Sequence, residues 1–168
     1  MPNIKLEMNG TTPKQRRVAV KIAEDVLRTM RYLNIEEGCY FDPTGKIAGT
    51  KAVVGMKPSE LKGCHVCAIG AMFASRALLM DGVSFPDSAG ASGCIRTQIQ
   101  DDIGKLNAGL IESAFETIFL HAERSGAPQT LASRAVSFGL AFADGAEARL
   151  KLRAIMKNVI ANKGVFRP

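Results

Sequence analysis

The chain has 168 residues, 46% of them hydrophobic and only 6% aromatic, with no Trp and a formal net charge of +6. That length suits one domain, and the apolar fraction supports a buried core and excludes a disordered chain. A palette of Ala, Val, Ile, Leu and Met favours packed helices over a β-sandwich, which draws on β-branched and aromatic residues. The fold class read from this is mainly α: a single helical domain over 1–168, with five to six helices and a short β-hairpin or loop insertion between the first two.

Residues 1–11 form a polar lead, read as partly ordered. Thr12-Pro13-Lys14-Gln15 is a helix start, with Thr12 as cap, Pro13 at the first helical position and Gln15 closing a capping box. Val18, Ile22, Val26, Met30 and Leu33 recur at helical spacing, which predicts one amphipathic helix over 13–33. Asp42-Pro43-Thr44-Gly45 has the residues of a type I turn, and Gly38–Phe41 and Lys46–Ala48 flank it as arms of a hairpin. Residues 51–54 are a further candidate strand.

Cys64 to Met80 reads as a helix apolar on nearly all sides, the kind that lies buried in a domain. A Gly/Ser/Pro loop follows over 81–93. Its segment 88–93 could nest an anion, but it lacks both the phosphate-loop ending and the spaced glycines of a dinucleotide fingerprint. Ile95, Ile99, Ile103 and Leu106 predict a third helix. Asn107 is a candidate cap for a fourth, whose stripe is Leu110, Ile111, Ala114, Phe115, Ile118 and Phe119 and which ends at Ser125-Gly126. Leu131, Ala135, Phe138 and Phe142 mark a fifth. Asp144-Gly145-Ala146-Glu147 caps a last helix that buries Leu152, Ile155, Met156, Val159 and Ile160. Asn162-Lys163-Gly164 stops it, and Val165 and Phe166 fold back onto it.

The chemistry-bearing stretch is Cys64-His65-Val66-Cys67. Its C-x-x-C spacing can place two thiolates on zinc, and a complete site needs two more ligands from Cys39, Cys94 or His121. A thiol pair at a helix N-terminus can also serve redox chemistry, although the segment before it is no strand of a βαβ unit. The favoured reading is packing: small, apolar-tolerant residues at the head of a buried helix, with no metal and no catalytic residue assigned. The four Cys lie in a chain with no apolar leader after a basic start and no apolar run of ~18 residues, which reads as a cytoplasmic protein with reduced thiols and no membrane partner.

Charge is uneven. Cations crowd both ends, and acids outnumber them between Arg96 and Glu123. Arg149, Arg153 and Lys157 recur every four residues on the last helix, and Arg16 and Arg17 sit on the first, so these are the candidate binding residues for phosphate or an acidic protein. No aromatic RNA-binding signature accompanies them. His121 stands at the edge of an apolar helix without an adjacent partner.

Three segments together, Cys64-His65-Val66-Cys67-Ala68-Ile69-Gly70-Ala71, Leu110–Glu116, and Ile155–Ile160 with the ending Asn162–Pro168, resemble short proteins of phages and prophages. No activity or site residues come with that resemblance. It implies a setting only, one in which small proteins often act by binding a host factor. The expected function is a non-enzymatic binding or regulatory protein, such as a phage or mobile-element factor that binds and inhibits a host protein, for example a defence system. Nucleic-acid binding through the basic ends, and a zinc or thiol-redox role at Cys64 and Cys67, are the alternatives.

Overall fold

In the computed structural model the described residues are 8–38, 40–43, 47–50, 53, 55–80, 84–85, 92–142 and 148–168, the side chain of Ser92 excepted. The fold is mainly helical, with a small sheet inserted after the first helix. Seven α-helices occur among these residues: α1 Pro13–Thr29, α2 Ala68–Leu79, α3 Ser92–Ile103, α4 Lys105–Glu116, α5 Phe119–Arg124, α6 Gln129–Leu140 and α7 Ala148–Ala161. No described helix is long and apolar enough to cross a membrane.

The first helix starts as its sequence dictates. Thr12 Oγ1 accepts the Gln15 amide at 3.1 Å and Gln15 Oε1 accepts the Thr12 amide at 2.9 Å, a complete capping box ahead of Pro13. The helix ends at Thr29, and Met30–Tyr32 continue as one 3-10 turn, so the periodic run to Leu33 overstates the α-helix by that turn.

The insertion is a three-stranded sheet in the order β1 (Asn34–Ile35), β3 (His65–Val66), β2 (Phe41–Asp42), with β3 parallel to β1 and antiparallel to β2. This corrects two expectations. The insertion's described pairings run through the Cys64–Cys67 segment, not between the arms of a local hairpin. The second helix begins at Ala68, because backbone groups upstream are taken by strand pairing: Asn34 N–H donates to the Cys64 carbonyl at 2.8 Å and Glu36 N–H to that of Val66 at 2.9 Å. A central strand between two partners cannot also be the first turn of a helix. Of the expected hairpin and strand, residues 39, 44–46, 51, 52 and 54 lie outside the described residues, as do the 88–91 loop and the 144–147 capping box.

Helix α2 is the central element. Ile69, Ala71, Met72 and Ala74 are fully buried, and α2 packs against both α1 and α3. Its glycine is a contact point: a Cβ at Gly70 would fall 1.3 Å from the Tyr40 carbonyl oxygen, so only glycine admits the loop before β2. The remaining core comes from Ile99 and Ile103 of α3, Leu110, Ile111 and Phe115 of α4, and Leu152, Ile155 and Met156 of α7. Each such side chain contributes roughly 1.5–3 kcal/mol by leaving water.

Two breaks were placed differently from the sequence reading. Gly104, at φ 95°, separates α3 from α4, so Asn107 lies inside α4 and not at its cap. Thr117, in the left-handed region at φ 58°, ends α4 and turns the chain into the separate short helix α5. The fold-back after α7 is as expected: Gly164 N–H donates to the Val159 carbonyl at 2.8 Å, and Val165 and Phe166 are buried.

Candidate interaction site

The corner where α4, α5 and α6 meet presents the chain's most concentrated exposed apolar surface among the described residues. Ile118, Phe119 and Leu120 are 47%, 47% and 43% exposed and consecutive, and Leu140 is 53% exposed. Leu140 ends α6, and the residue before it, Gly139, packs α6 onto the end of α4. A Cβ at Gly139 would lie 1.8 Å from the Ala114 carbonyl oxygen and 3.0 Å from Thr117 Cγ2. Large apolar side chains left clustered in water on a folded domain mark an interaction surface.

Short helices such as α5 are marginal alone, and this one is tied down from below. Ser113 Oγ of α4 accepts the Ala122 amide at 2.8 Å and donates to the Phe119 carbonyl at 3.4 Å. Ser125 Oγ donates to the His121 carbonyl at 2.8 Å, and it occupies the space a side chain at position 109 would need, 2.1 Å from a Cβ built on Gly109. The patch is therefore held in place before any partner arrives, which lowers the entropy lost on binding.

Behind the patch lies a polar cluster centred on Glu112, which is 2% exposed. The Tyr40 hydroxyl donates to its Oε1, Arg96 Nε stands 3.1 Å from Oε2, and His121 Nδ1 stands 3.2 Å from Oε1. Neither the Arg96 nor the His121 approach has hydrogen-bond geometry, so both are charge or dipole contacts. Burial lowers the His121 pKa below the usual imidazole value, opposed by Glu112 and assisted by Arg96 and Arg124, which leaves the ring neutral at pH 7. Burial, the bond to Glu112 and its charge raise the Tyr40 pKa, so the phenol remains the donor.

One helical turn on, Glu116 Oε2 accepts the Gly38 amide at 2.8 Å. Burial pushes its pKa up to about 7, with Glu37 and Glu112 adding to the rise and the Gly38 amide and Lys151 opposing it. Lys151, itself buried, pairs with Glu37 and lies 5.1 Å from the Phe115 ring centroid. Glu112, Glu116 and Lys151 thus bind the insertion to the helical body.

The sequence-selected residues separate into groups. Arg149 is spent on structure: its guanidinium donates to the carbonyls of Met30 and Leu33, the latter at 2.7 Å, and so closes the end of α1. Arg16 donates to the Thr11 carbonyl at 2.8 Å. Arg17, Arg153 and Lys157 are exposed. Cys64 and Cys67 are buried without a disulfide between them, Cys94 is exposed on α3, and Cys39 lies outside the described residues. Among the described residues no group of three or more His, Cys, Asp and Glu is arranged to hold a metal ion. Burial raises the Cys67 pKa, Glu116 and Glu112 add to it, and the amides of Gly70 and Ile69 only partly offset it, so the sulfur stays a protonated thiol.

The corner patch and the Glu112 cluster escaped the sequence reading. Ile118 and Phe119 satisfy the helical period and so fall in the expected apolar stripe of the fourth helix, and a left-handed Thr117 has no composition signal. His121 had no partner within its own helix because Glu112 reaches it across the α4–α5 turn. Compared with protein families, curated proteins and solved structures, the chain matches none.

Proposed function

We propose that this protein is a non-enzymatic binding module that engages a protein partner through the corner formed by Ile118, Phe119, Leu120 and Leu140. The observation that carries this reading is the exposure of Ile118, Phe119 and Leu120 at the start of a short helix that Ser113 and Ser125 hold in place, with Leu140 exposed at the end of α6. Aromatic and aliphatic anchors on a preorganised frame are what dominate binding energy at protein interfaces. The resemblance to small phage and prophage proteins directs the search to a host protein that the chain would inhibit.

The test is affinity purification with quantitative mass spectrometry on three forms of the full chain. The unaltered chain and an Arg153→Ala/Lys157→Ala variant are expected to retain the same partner. A Phe119→Ser/Leu140→Ser variant with unchanged melting temperature is expected to lose it by tenfold or more. Retention by that patch variant, or loss confined to the charge variant, overturns the reading.

A further inference from the structure

A cavity of about 340 Å³ lies between the first turn of α6 and the C-terminal segment. Pro128 and Leu131 from the start of α6, with Phe166 of the tail, give it apolar lining, while Thr130, Arg134 and Arg167 bring polar groups to it. Its size falls at the lower end of small-molecule sites.

The wall is built, not incidental. Asn107, inside α4, accepts the Phe166 amide at 2.8 Å and donates to the Gly164 carbonyl at 3.0 Å. Asn9 donates to the Phe166 carbonyl at 2.7 Å, and the Phe166 ring packs edge-on against Phe138 at 5.3 Å between centroids. Arg167 is held by its backbone, whose amide donates to Asn158 Oδ1 at 2.8 Å and whose carbonyl accepts from Asn158 Nδ2 at 2.7 Å. The backbone that presents the second guanidinium is therefore fixed on both sides.

Neither Arg134 nor Arg167 has an ion-pair partner among the described residues. No acidic residue stands in the first turn of α6 and no side chain caps it, so the helix end adds positive potential on the same side. Thr130 and Arg134 lie one turn apart on one helix face. Two unpaired guanidinium forks beside a compact apolar lining match an anionic head on an apolar body.

We infer that the cavity between the first turn of α6 and the anchored tail binds a small organic anion, its carboxylate or phosphate group held by Arg134 and Arg167 and its apolar body against Leu131, Pro128 and Phe166. This site is separate from the Ile118–Leu120 corner and stands whether or not that corner binds a protein.

The probes are phenyl phosphate, benzoate and inorganic phosphate, titrated into the ¹⁵N-labelled full chain and followed by amide chemical shifts. Saturable shifts confined to residues 129–134 and 165–167 are expected with both organic probes, and at least fivefold weaker binding with inorganic phosphate. Arg134→Ala with Arg167→Ala is expected to weaken both organic probes tenfold or more while the rest of the spectrum superimposes, and Arg153→Ala with Lys157→Ala to leave them unchanged. Arg134→Lys, which keeps the charge and removes the fork, is expected to weaken them several-fold. Non-saturable shifts, shifts spread over α1 and α7, or equal affinity for inorganic phosphate would overturn the inference.

Discussion

The hydroxyl of Tyr40 donates to the carboxylate of Glu112, 72 positions away in the chain, and joins the inserted sheet to the helical body. Glu112 is nearly inaccessible and also faces Arg96 and His121, so its removal leaves several polar groups short of a partner. Glu112→Ala is expected to cost about 3–5 kcal/mol, the range for breaking a buried charged network from one side. Tyr40→Phe, which deletes one donor to a carboxylate, is expected to cost about 2 kcal/mol. Urea unfolding of both single variants and the double variant measures the coupling. Additive losses would show that the two residues act independently.

The same junction has a steric limit. With the Tyr40 carbonyl oxygen 1.3 Å from where a Cβ would stand, Gly70→Ala forces the loop before β2 away from α2 and strains the Tyr40–Glu112 contact with it. The expected loss is roughly 2–3 kcal/mol, as for overpacking against backbone that cannot yield. Gly93→Ala is the control, since nothing lies within 4 Å of a Cβ there. If both substitutions cost the same amount in urea unfolding, the close approach at Gly70 is not what holds the loop.

Local signals carried the helices well. The capping box at Thr12 and Gln15, the glycine stop at Gly164 and the buried positions Ile22 and Val26 of α1, Leu110, Ile111, Ala114 and Phe115 of α4 and Leu152, Ile155, Met156 and Val159 of α7 follow short-range patterns, and each appears where the residues predict it. What was not legible depends on distant pairing. Cys64–Val66 has the apolar character of a helix, and only its pairing with residues 34–36 and 41–42 makes it strand. The Glu112 cluster draws on a loop and three helices, so no spacing rule reveals it. Arg149 belongs to a regular basic stripe, yet its guanidinium reaches the end of α1, a contact that periodicity does not contain.

Glu116 gives the fold a pH dependence of defined sign. Its folded pKa of about 7 lies above the usual 4.5, so the folded state holds a proton that the unfolded chain has released. The stability it contributes is fully present below pH 4.5 and is lost as pH rises through 7. After allowance for its partial exposure, the difference is about 1–2 kcal/mol. His121 has the opposite sign: with its pKa lowered, its contribution is present above the usual 6.5 and is lost as pH falls. The informative quantity is therefore the difference between the unaltered chain and Glu116→Gln, in which the His121 contribution cancels. Gln can still accept the Gly38 amide, so this variant is expected to gain relative stability steadily from pH 5 to 8 in urea unfolding. A difference that is flat across that range would place the Glu116 titration outside it.

The cysteines should differ sharply in reactivity. Cys94 is exposed on α3, whereas Cys64 and Cys67 are buried, and burial with two neighbouring carboxyls holds the Cys67 sulfur in its unreactive protonated form. Only the thiolate attacks an alkylating reagent, so both exposure and charge favour Cys94. Iodoacetamide labelling of the native chain at pH 8, resolved by site with peptide mass spectrometry, is expected to modify Cys94 at least a hundredfold faster than Cys67. Labelling of Cys67 should then follow opening of the α2 head and accelerate with urea in step with unfolding. Rapid labelling of Cys67 in the folded chain would show that the head of α2 is open to solvent and would return the Cys64–Cys67 pair to thiol chemistry.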